Sequence, residues 1–278
     1  MWLHDSPLTG QDNWPAPCDC WEQLGWNIGH SVRVYHEVSS TNDLAKLLAW
    51  QVPSGTVIRA LRQTAGRGQY GRSWQGGDNC SVLLSVIVTP PPGFRRPVVL
   101  TAWATVAVAR TIQELCGTTP RLKWPNDLQI GGKKLSGILI ESVTCSETKS
   151  CIIVGIGLNV RQTAADFAKA NLPEATSLWL QGSSVSPDDA ARRLITHLNQ
   201  TYECLIATGG TAIEAAWSEM LALRHIPAII EFRDQSRIVG VVHNLSFIGV
   251  EIMTPTGRIV REAETIVRIL PDSATLIP

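Results

Sequence analysis

The chain has 278 residues, 44% hydrophobic and 17% charged, which is the composition of an ordered globular chain long enough for one large domain and a small one. Its 24 basic and 24 acidic side chains leave a formal net charge of zero. That balance argues against nonspecific nucleic-acid binding, which needs a basic surface to release counterions. No apolar run reaches the roughly 18–20 residues that span a bilayer, and MWLHDSPLTG at the N-terminus lacks the basic start and apolar stretch of a signal peptide. A cytoplasmic, reducing location without membrane association is expected. Seven cysteines are scattered, and the lone C-x-C of Cys18 and Cys20 has no second pair to complete a zinc site.

Residues 1–30 are rich in Trp, Pro, Asp and Gly without periodicity and read as an N-terminal arm on the domain surface. VRVYHEV (32–38) reads as a strand, after which Ser40 or Thr41 caps a helix with Leu44, Leu47 and Leu48 on one face. TVIRALR (56–62) is the next strand and runs into QTAGRGQYGRSW (63–74). CSVLLSVIVT (80–89) is a buried strand that stops at three prolines, and a buried helix covers about 98–116. RLKWPND is followed by a hairpin, LQI-GG-KKL, in which Gly131 and Gly132 supply the two positive φ values of the turn. IIVGIGLNV (152–160) is an apolar strand broken by glycines, and helices follow near 187–208 and 210–223. From 226 to 270 short alternating strands, with turns at Asp234-Gln235 and Thr256-Gly257, predict a small β-barrel.

Three stretches carry polar chemistry. In 63–74, glycines let backbone N–H groups approach an anion, and arginine adds a fork that matches carboxylate or phosphate. A surface hairpin with solvated arginines would use the same residues. The chain contains no G-x-x-x-x-G-K-[ST] phosphate loop. In KWPND (123–127), Pro125 keeps Trp124 out of helical geometry, so Asn126 and Asp127 sit at a strand end. Lys133 and Lys134 then alternate faces, and one of them points at that cluster. An Asx turn with two solvated lysines fits this stretch equally well. In GIGLN (155–159), a glycine pair in a buried strand implies close approach by another group, or a β-bulge.

In order and spacing, SSTN (39–42), QTAGRGQYGRSW, KWPND, KKLSGILIE (133–141) and GIGLN resemble the biotin protein ligase family. The resemblance implies an α/β (α+β) catalytic domain with a mixed sheet over 31–224, then an SH3-like β-barrel over 225–278. It implies the substrates biotin and ATP, with Mg²⁺, and a biotinyl-5′-adenylate passed to a lysine of the biotin carboxyl carrier protein of acetyl-CoA carboxylase. Family members are monomers or homodimers. By the same resemblance, Ser40, Thr41, Asn42, Gln63, Gly66, Arg67, Gly68, Gln69, Lys134 and Gly137 surround biotin. Arg67, Arg72, Trp74, Asn126, Lys134 and Asn159 serve the nucleotide. Arg67, Lys134 and Asp127 serve the chemistry, with Asp127 either orienting Mg²⁺ or accepting a proton.

The family loop often carries arginine where this chain has Gln69, so the adenylate is expected to leave faster. Some members carry a DNA-binding domain ahead of the catalytic one. Here about 38 residues precede SSTN without a pair of amphipathic helices, so no DNA binding is expected. A lipoate ligase is the rival within the superfamily, disfavoured because Ser40, Thr41 and Gln63 would face a dithiolane unpaired. A non-catalytic biotin sensor is the rival from another class, disfavoured by Arg67, Asp127 and Lys134 standing together.

Overall fold

A computed structural model describes residues 15–146 and 149–272. An eight-stranded mixed sheet runs in the order β1(Asp19–Glu22), β2(Ser31–Val38), β3(Val57–Gln63), β4(Ser81–Val88), β8(Lys149–Asn159), β7(Lys133–Ser146), β6(Asp127–Ile130), β5(Arg121–Lys123). Only β2 and β3 pair in parallel, joined by the crossover helix α1(Thr41–Leu48). Every residue of β4 is buried, because the sheet is covered on both sides. Val82, Leu84, Val86 and Val88 pack into the core built on α2(Pro97–Cys116), α4(Pro187–Ala207) and α5(Thr211–Met220). Ile87, one position out of phase, belongs to a smaller core with Leu44, Ala45 and Leu48 of α1.

α2 is the central helix. It is 20 residues long and, by length and composition only, apolar enough to cross a membrane, so the expectation that no apolar run reaches that length is corrected. Most of it is buried against the sheet and α4, where Trp103 Nε1 donates to Leu198 O at 3.0 Å and its ring meets Tyr202 edge-on at 5.4 Å. The helix starts on Pro97, whose missing N–H costs nothing at a first turn, and ends on Gly117 at φ +67°.

The strands and long helices fall where the sequence predicts them, as does the turn at Gly131 (φ 56°) and Gly132 (φ 77°). Two further expectations are corrected, and one helix is added. The arm is not wholly irregular, since Asp19–Glu22 extends the sheet as β1, antiparallel to β2. There the Trp21 ring lies against the guanidinium groups of Arg59 (4.9 Å) and Arg192 (3.8 Å). The part of the arm before residue 15 lies outside the described residues. Leu47 does not share the buried face of α1 but is 45% exposed, because it sits 100° around from Leu48. A short helix, α3(Ala164–Lys169), closed by a Thr163–Asp166 capping box, has no apolar periodicity to announce it.

The C-terminal strands form a separate antiparallel sheet, β12(Gly257–Arg261), β11(Val250–Thr254), β10(Arg237–Leu245), β9(Pro227–Phe232), β13(Ile266–Pro271), in line with an SH3-like unit. It is docked on the first by Trp124 Nε1 donating to Ile266 O (3.0 Å) and by Arg96, which donates to Phe247 O (2.7 Å) and pairs with Glu264 (2.7 Å).

Candidate active site

Strand register builds the floor. Leu83, Gly157, Gly137 and Asp127 are successive cross-strand partners on β4, β8, β7 and β6, so they form one row across the sheet. Two adjacent glycines in that row leave a flat patch, and Trp74 lies on it. A Cβ on Gly157 would stand 2.3 Å from Trp74 Cε2, and one on Gly137 would stand 3.1 Å from Cζ3. The next row holds Ser85, Gly155 and Leu139, and a Cβ on Gly155 would stand 2.2 Å from Asn42 Oδ1. The glycines of GIGLN thus do admit close neighbours, and no bulge is recorded there: the neighbours are two of the chain's own side chains. Gly157→Ala is expected to destabilise the fold by about 1–3 kcal/mol through overpacking. Gly93→Ala, where a Cβ meets nothing within 4 Å, is the near-neutral control. Equal denaturant midpoints for the two variants would remove Trp74 from the patch.

A one-residue bulge decides which lysine faces the floor. Leu128 pairs with Ser136 but Gln129 pairs with Lys134, leaving Leu135 extra on β7. The bulge reverses the alternation, so Lys134 shares the face of Gly137 and Lys133 is exposed. Lys134 Nζ lies 2.7 Å from Asp127 Oδ1 and 5.5 Å from the Trp74 ring centroid. Its backbone is fixed by the segment after α3, through Lys134 N to Glu174 O (2.7 Å) and Thr176 N to Lys134 O (2.8 Å). Asn126 Nδ2 donates to Ile138 O, which pins the tight turn between β5 and β6.

The opposite end of the cavity is the start of α1. Ser40 occupies the N-cap position, but its side chain makes no capping bond, which corrects the expected role of Ser40 or Thr41 as a cap. Gln63 Oε1 takes over instead, accepting from Thr41 N (2.7 Å) and Thr41 Oγ1 (3.1 Å). Ser85 Oγ, fully buried, lies 2.8 Å from Thr41 Oγ1 and 2.6 Å from Asn42 Oδ1. The chain therefore keeps a buried polar end whose groups hold each other in place.

The 66–74 stretch is a small hairpin, with Trp74 N donating to Gly66 O (2.9 Å) and Gly68 N to Arg72 O (2.7 Å). Its tip is left-handed at Tyr70 (φ 57°) and Gly71 (φ 74°). Arg67 turns toward α1, donating through Nη2 to Asp43 Oδ1 (2.6 Å) and Glu141 Oε2 (2.8 Å). Glu141 is the hub: it also accepts from Asn42 Nδ2 (2.8 Å) and Lys46 Nζ (2.6 Å). Burial pushes its carboxyl up, but the Lys46 and Asn42 hydrogen bonds and the charges of Lys46 and Arg67 outweigh that and hold it below the usual range. A depressed folded pKa gives stability that is complete above the ordinary glutamate value, about 4.3, and is lost as pH falls through the folded value. Glu141→Gln is expected to flatten the acid limb of a thermal-midpoint titration below that pH and to leave its neutral limb without such a slope.

All the predicted residues except Gly66 line one cavity of about 600 Å³. Gly66 is buried at the base of the hairpin, where a Cβ would stand 2.6 Å from Trp74 O. Asn159 is 4% exposed, donating to Thr176 O (2.9 Å) and accepting from Gln162 (3.3 Å). Arg72 stands exposed on the hairpin. Sequence reasoning passed over Glu141 as a contact of Arg67, although it follows Gly137 and Leu139 at a period of two. It also missed Arg268 and Leu270 of β13, which reach the rim from the second sheet and carry no local signal.

The cavity thus sets a cation, Lys134, and a glycine-floored sheet opposite the polar start of a helix. A family profile described as the biotin/lipoate A/B protein ligase family matches residues 34–159. A "Biotin--[acetyl-CoA-carboxylase] ligase" of Paracoccus denitrificans is 30% identical over 228 residues, 79% of this chain and 92% of that protein. The "Bifunctional ligase/repressor BirA" of Bacillus subtilis is 35% identical over 187 residues, 66% of this chain but only 58% of that protein's length. In fold, a biotin protein ligase from Aquifex aeolicus in complex with biotin and ATP superposes with TM-score 0.74 at 24% identity, covering 87% of this chain and 99% of that one. The chain belongs to the biotin/lipoate A/B protein ligase family.

Proposed function

We propose that this chain attaches biotin to a lysine of the biotin carboxyl carrier protein of acetyl-CoA carboxylase, through biotinyl-5′-adenylate made from ATP. The observation that carries the reading is one cavity with a polar, hydrogen-bonding end at Ser40, Thr41 and Gln63 and a cation, Lys134, at the opposite end. Biotin has the complementary ends, a ureido ring and a carboxylate. The printed names of the relatives support the same acid and the same acceptor.

In the first step a biotin carboxylate oxygen bonds to the α-phosphorus of ATP as the bond to the bridging oxygen breaks, and pyrophosphate leaves. Two anions must meet, and Lys134, held by Asp127, stabilises the charge that collects between them. Arg67 must leave Asp43 and Glu141 to join it, and the hairpin that carries Arg67 then covers the product from water. Asp127 is the carboxylate that would hold Mg²⁺ brought on the phosphates of ATP, or that would accept a proton from the acceptor amine. No cluster of three or more His, Cys, Asp or Glu occurs among the described residues, which suits a substrate-borne ion. When bound, it supplies charge neutralisation to the phosphates. In the second step the acceptor amine attacks the carbonyl carbon, the amide forms and AMP leaves.

The rival acid is lipoate. Its dithiolane carries no group to hydrogen-bond that polar end, whereas the ureido ring of biotin does. The test uses labelled biotin, MgATP and an apo biotin carboxyl carrier domain, with labelled lipoate in parallel. Biotin on the carrier and no lipoate transfer is the expected outcome. Tight biotin binding with neither transfer nor pyrophosphate release would make the chain a sensor.

A further inference from the structure

At the polar end of the cavity, groups that admit only one hydrogen-bonding role fix the roles of the rest. Thr41 N can only donate, so the Gln63 atom 2.7 Å from it is the oxygen, and Gln63 Nε2 points elsewhere. That nitrogen makes no hydrogen bond among the described residues and is not sealed from solvent. The Glu141 carboxylate, beside Lys46 (2.6 Å) and Arg67 (2.8 Å), can only accept. Asn42 therefore turns Nδ2 toward it (2.8 Å) and Oδ1 toward Ser85. Ser85 Oγ lies 2.6 Å from Asn42 Oδ1 and 2.8 Å from Thr41 Oγ1, but it carries one hydrogen. Oδ1 never donates, so that hydrogen goes to it, and Thr41 must supply the hydrogen between the two hydroxyls. The chain of donation runs from Thr41 through Ser85 and Asn42 to Glu141. Thr41 Oγ1, its only hydrogen spent, then shows lone pairs alone to the cavity. Ser40, free of any capping bond, can turn its hydroxyl either way and sets no polarity.

We propose that Ser85 is a positioning residue for the acid substrate: it takes the Thr41 hydrogen and makes Thr41 Oγ1 a pure acceptor beside a pure donor, Gln63 Nε2. The inference rests on the ligase reading. The matching ligand class is a cyclic urea, which sets an N–H and a C=O on neighbouring atoms of one ring. Ser85 is fully buried and does not line the cavity, so it acts through Thr41 and not by touching the ligand. A ligand acceptor placed against Thr41 Oγ1 would make Thr41 turn its hydrogen outward. Two hydroxyl oxygens would then stand 2.8 Å apart with no hydrogen between them. Without Ser85 the same turn gives up only the longer 3.1 Å bond to Gln63 Oε1, which keeps Thr41 N. Ser85 thereby turns a hydroxyl that could serve either partner into a group that refuses acceptors.

The test compares biotin with its two cyclic carbamates, in each of which one ureido N–H is replaced by oxygen. Each is titrated calorimetrically into the full-length parent, Ser85→Ala and Glu141→Gln. The parent is expected to bind one of the carbamates about tenfold more weakly than biotin, for a lost hydrogen bond and an opposed lone pair. Ser85→Ala is expected to bring that ratio below about threefold, with the KM for ATP in pyrophosphate release within about twofold of the parent. Glu141→Gln lets Asn42 reverse, since an amide also donates, and is expected to lower the ratio with Ser85 in place. It carries the test if Ser85→Ala does not fold. A merely structural loss would weaken biotin and carbamate alike and leave the ratio at the parent's value. That result in folded Ser85→Ala, or in Glu141→Gln where the first does not fold, overturns the proposal. So does a parent that binds both carbamates as well as biotin. A parent that neither binds biotin nor releases pyrophosphate would instead defeat the ligase reading itself.

Discussion

Lys134→Ala is expected to slow pyrophosphate release by about 10²–10³, the usual cost of removing one preorganised group aimed at developing transition-state charge. The cation is partly shielded, with its side chain 35% exposed and its carboxylate partner Asp127 18% exposed. Charge interactions there are several times stronger than in open water. Two anions brought to that point without it would repel, and nothing else on β7 replaces it, because the bulge at Leu135 turns Lys133 outward. Lys133→Ala is therefore the matched control, one residue away on the same strand, and is expected to stay within twofold of the parent. Equal rates for the two variants would mean that the bulge does not select Lys134, and that the charge between carboxylate and phosphate is handled elsewhere. Circular dichroism at the assay temperature checks that Asp127, losing its partner, has not loosened the β5–β6 turn.

The chemistry of this site is written mainly in local signals. Gly131-Gly132 set a hairpin, Pro125 broke a strand, and paired glycines in an apolar strand announced a close approach; each follows from backbone sterics within a few residues, and each is present in the structure. What stayed hidden depends on register or on distant segments. Strand alternation alone left open which of Lys133 and Lys134 faces the cavity, and only the family resemblance named Lys134; the choice turns on one extra residue in a ladder, and no residue type marks that bulge. The cap of α1 is supplied by Gln63, 22 residues away, so a helix-start rule names Ser40 and misses the actual partner. Asp43 and Glu141 come from α1 and β7 to hold Arg67, a meeting that only the folded sheet creates. The β1 strand, four residues between prolines and a tight turn, has too short a pattern to read, and its place is fixed by Trp21 docking on Arg59 and Arg192.

Gln69→Arg is expected to slow the release of biotinyl-5′-adenylate by roughly 10–150-fold, which is a charged hydrogen bond of about 1.5–3 kcal/mol expressed as a rate ratio. Gln69 stands at the start of the hairpin tip and lines the cavity, next to the left-handed Tyr70. An arginine there adds a fork for the adenylate phosphate at a point the backbone already fixes, whereas Arg67 must first give up two carboxylates. The gain should therefore appear in dissociation more than in adenylate formation, since closing the hairpin still costs the Arg67 contacts in both proteins. Preloading the enzyme with labelled biotin and MgATP, then chasing with unlabelled biotin, gives the off-rate directly. A slower chase with an unchanged rate of pyrophosphate release in the first turnover places Gln69 over the product. An unchanged chase would mean that the hairpin closes with position 69 pointing away from the phosphate, and the loss of charge at Gln69 would then carry no consequence for how long this enzyme holds its intermediate.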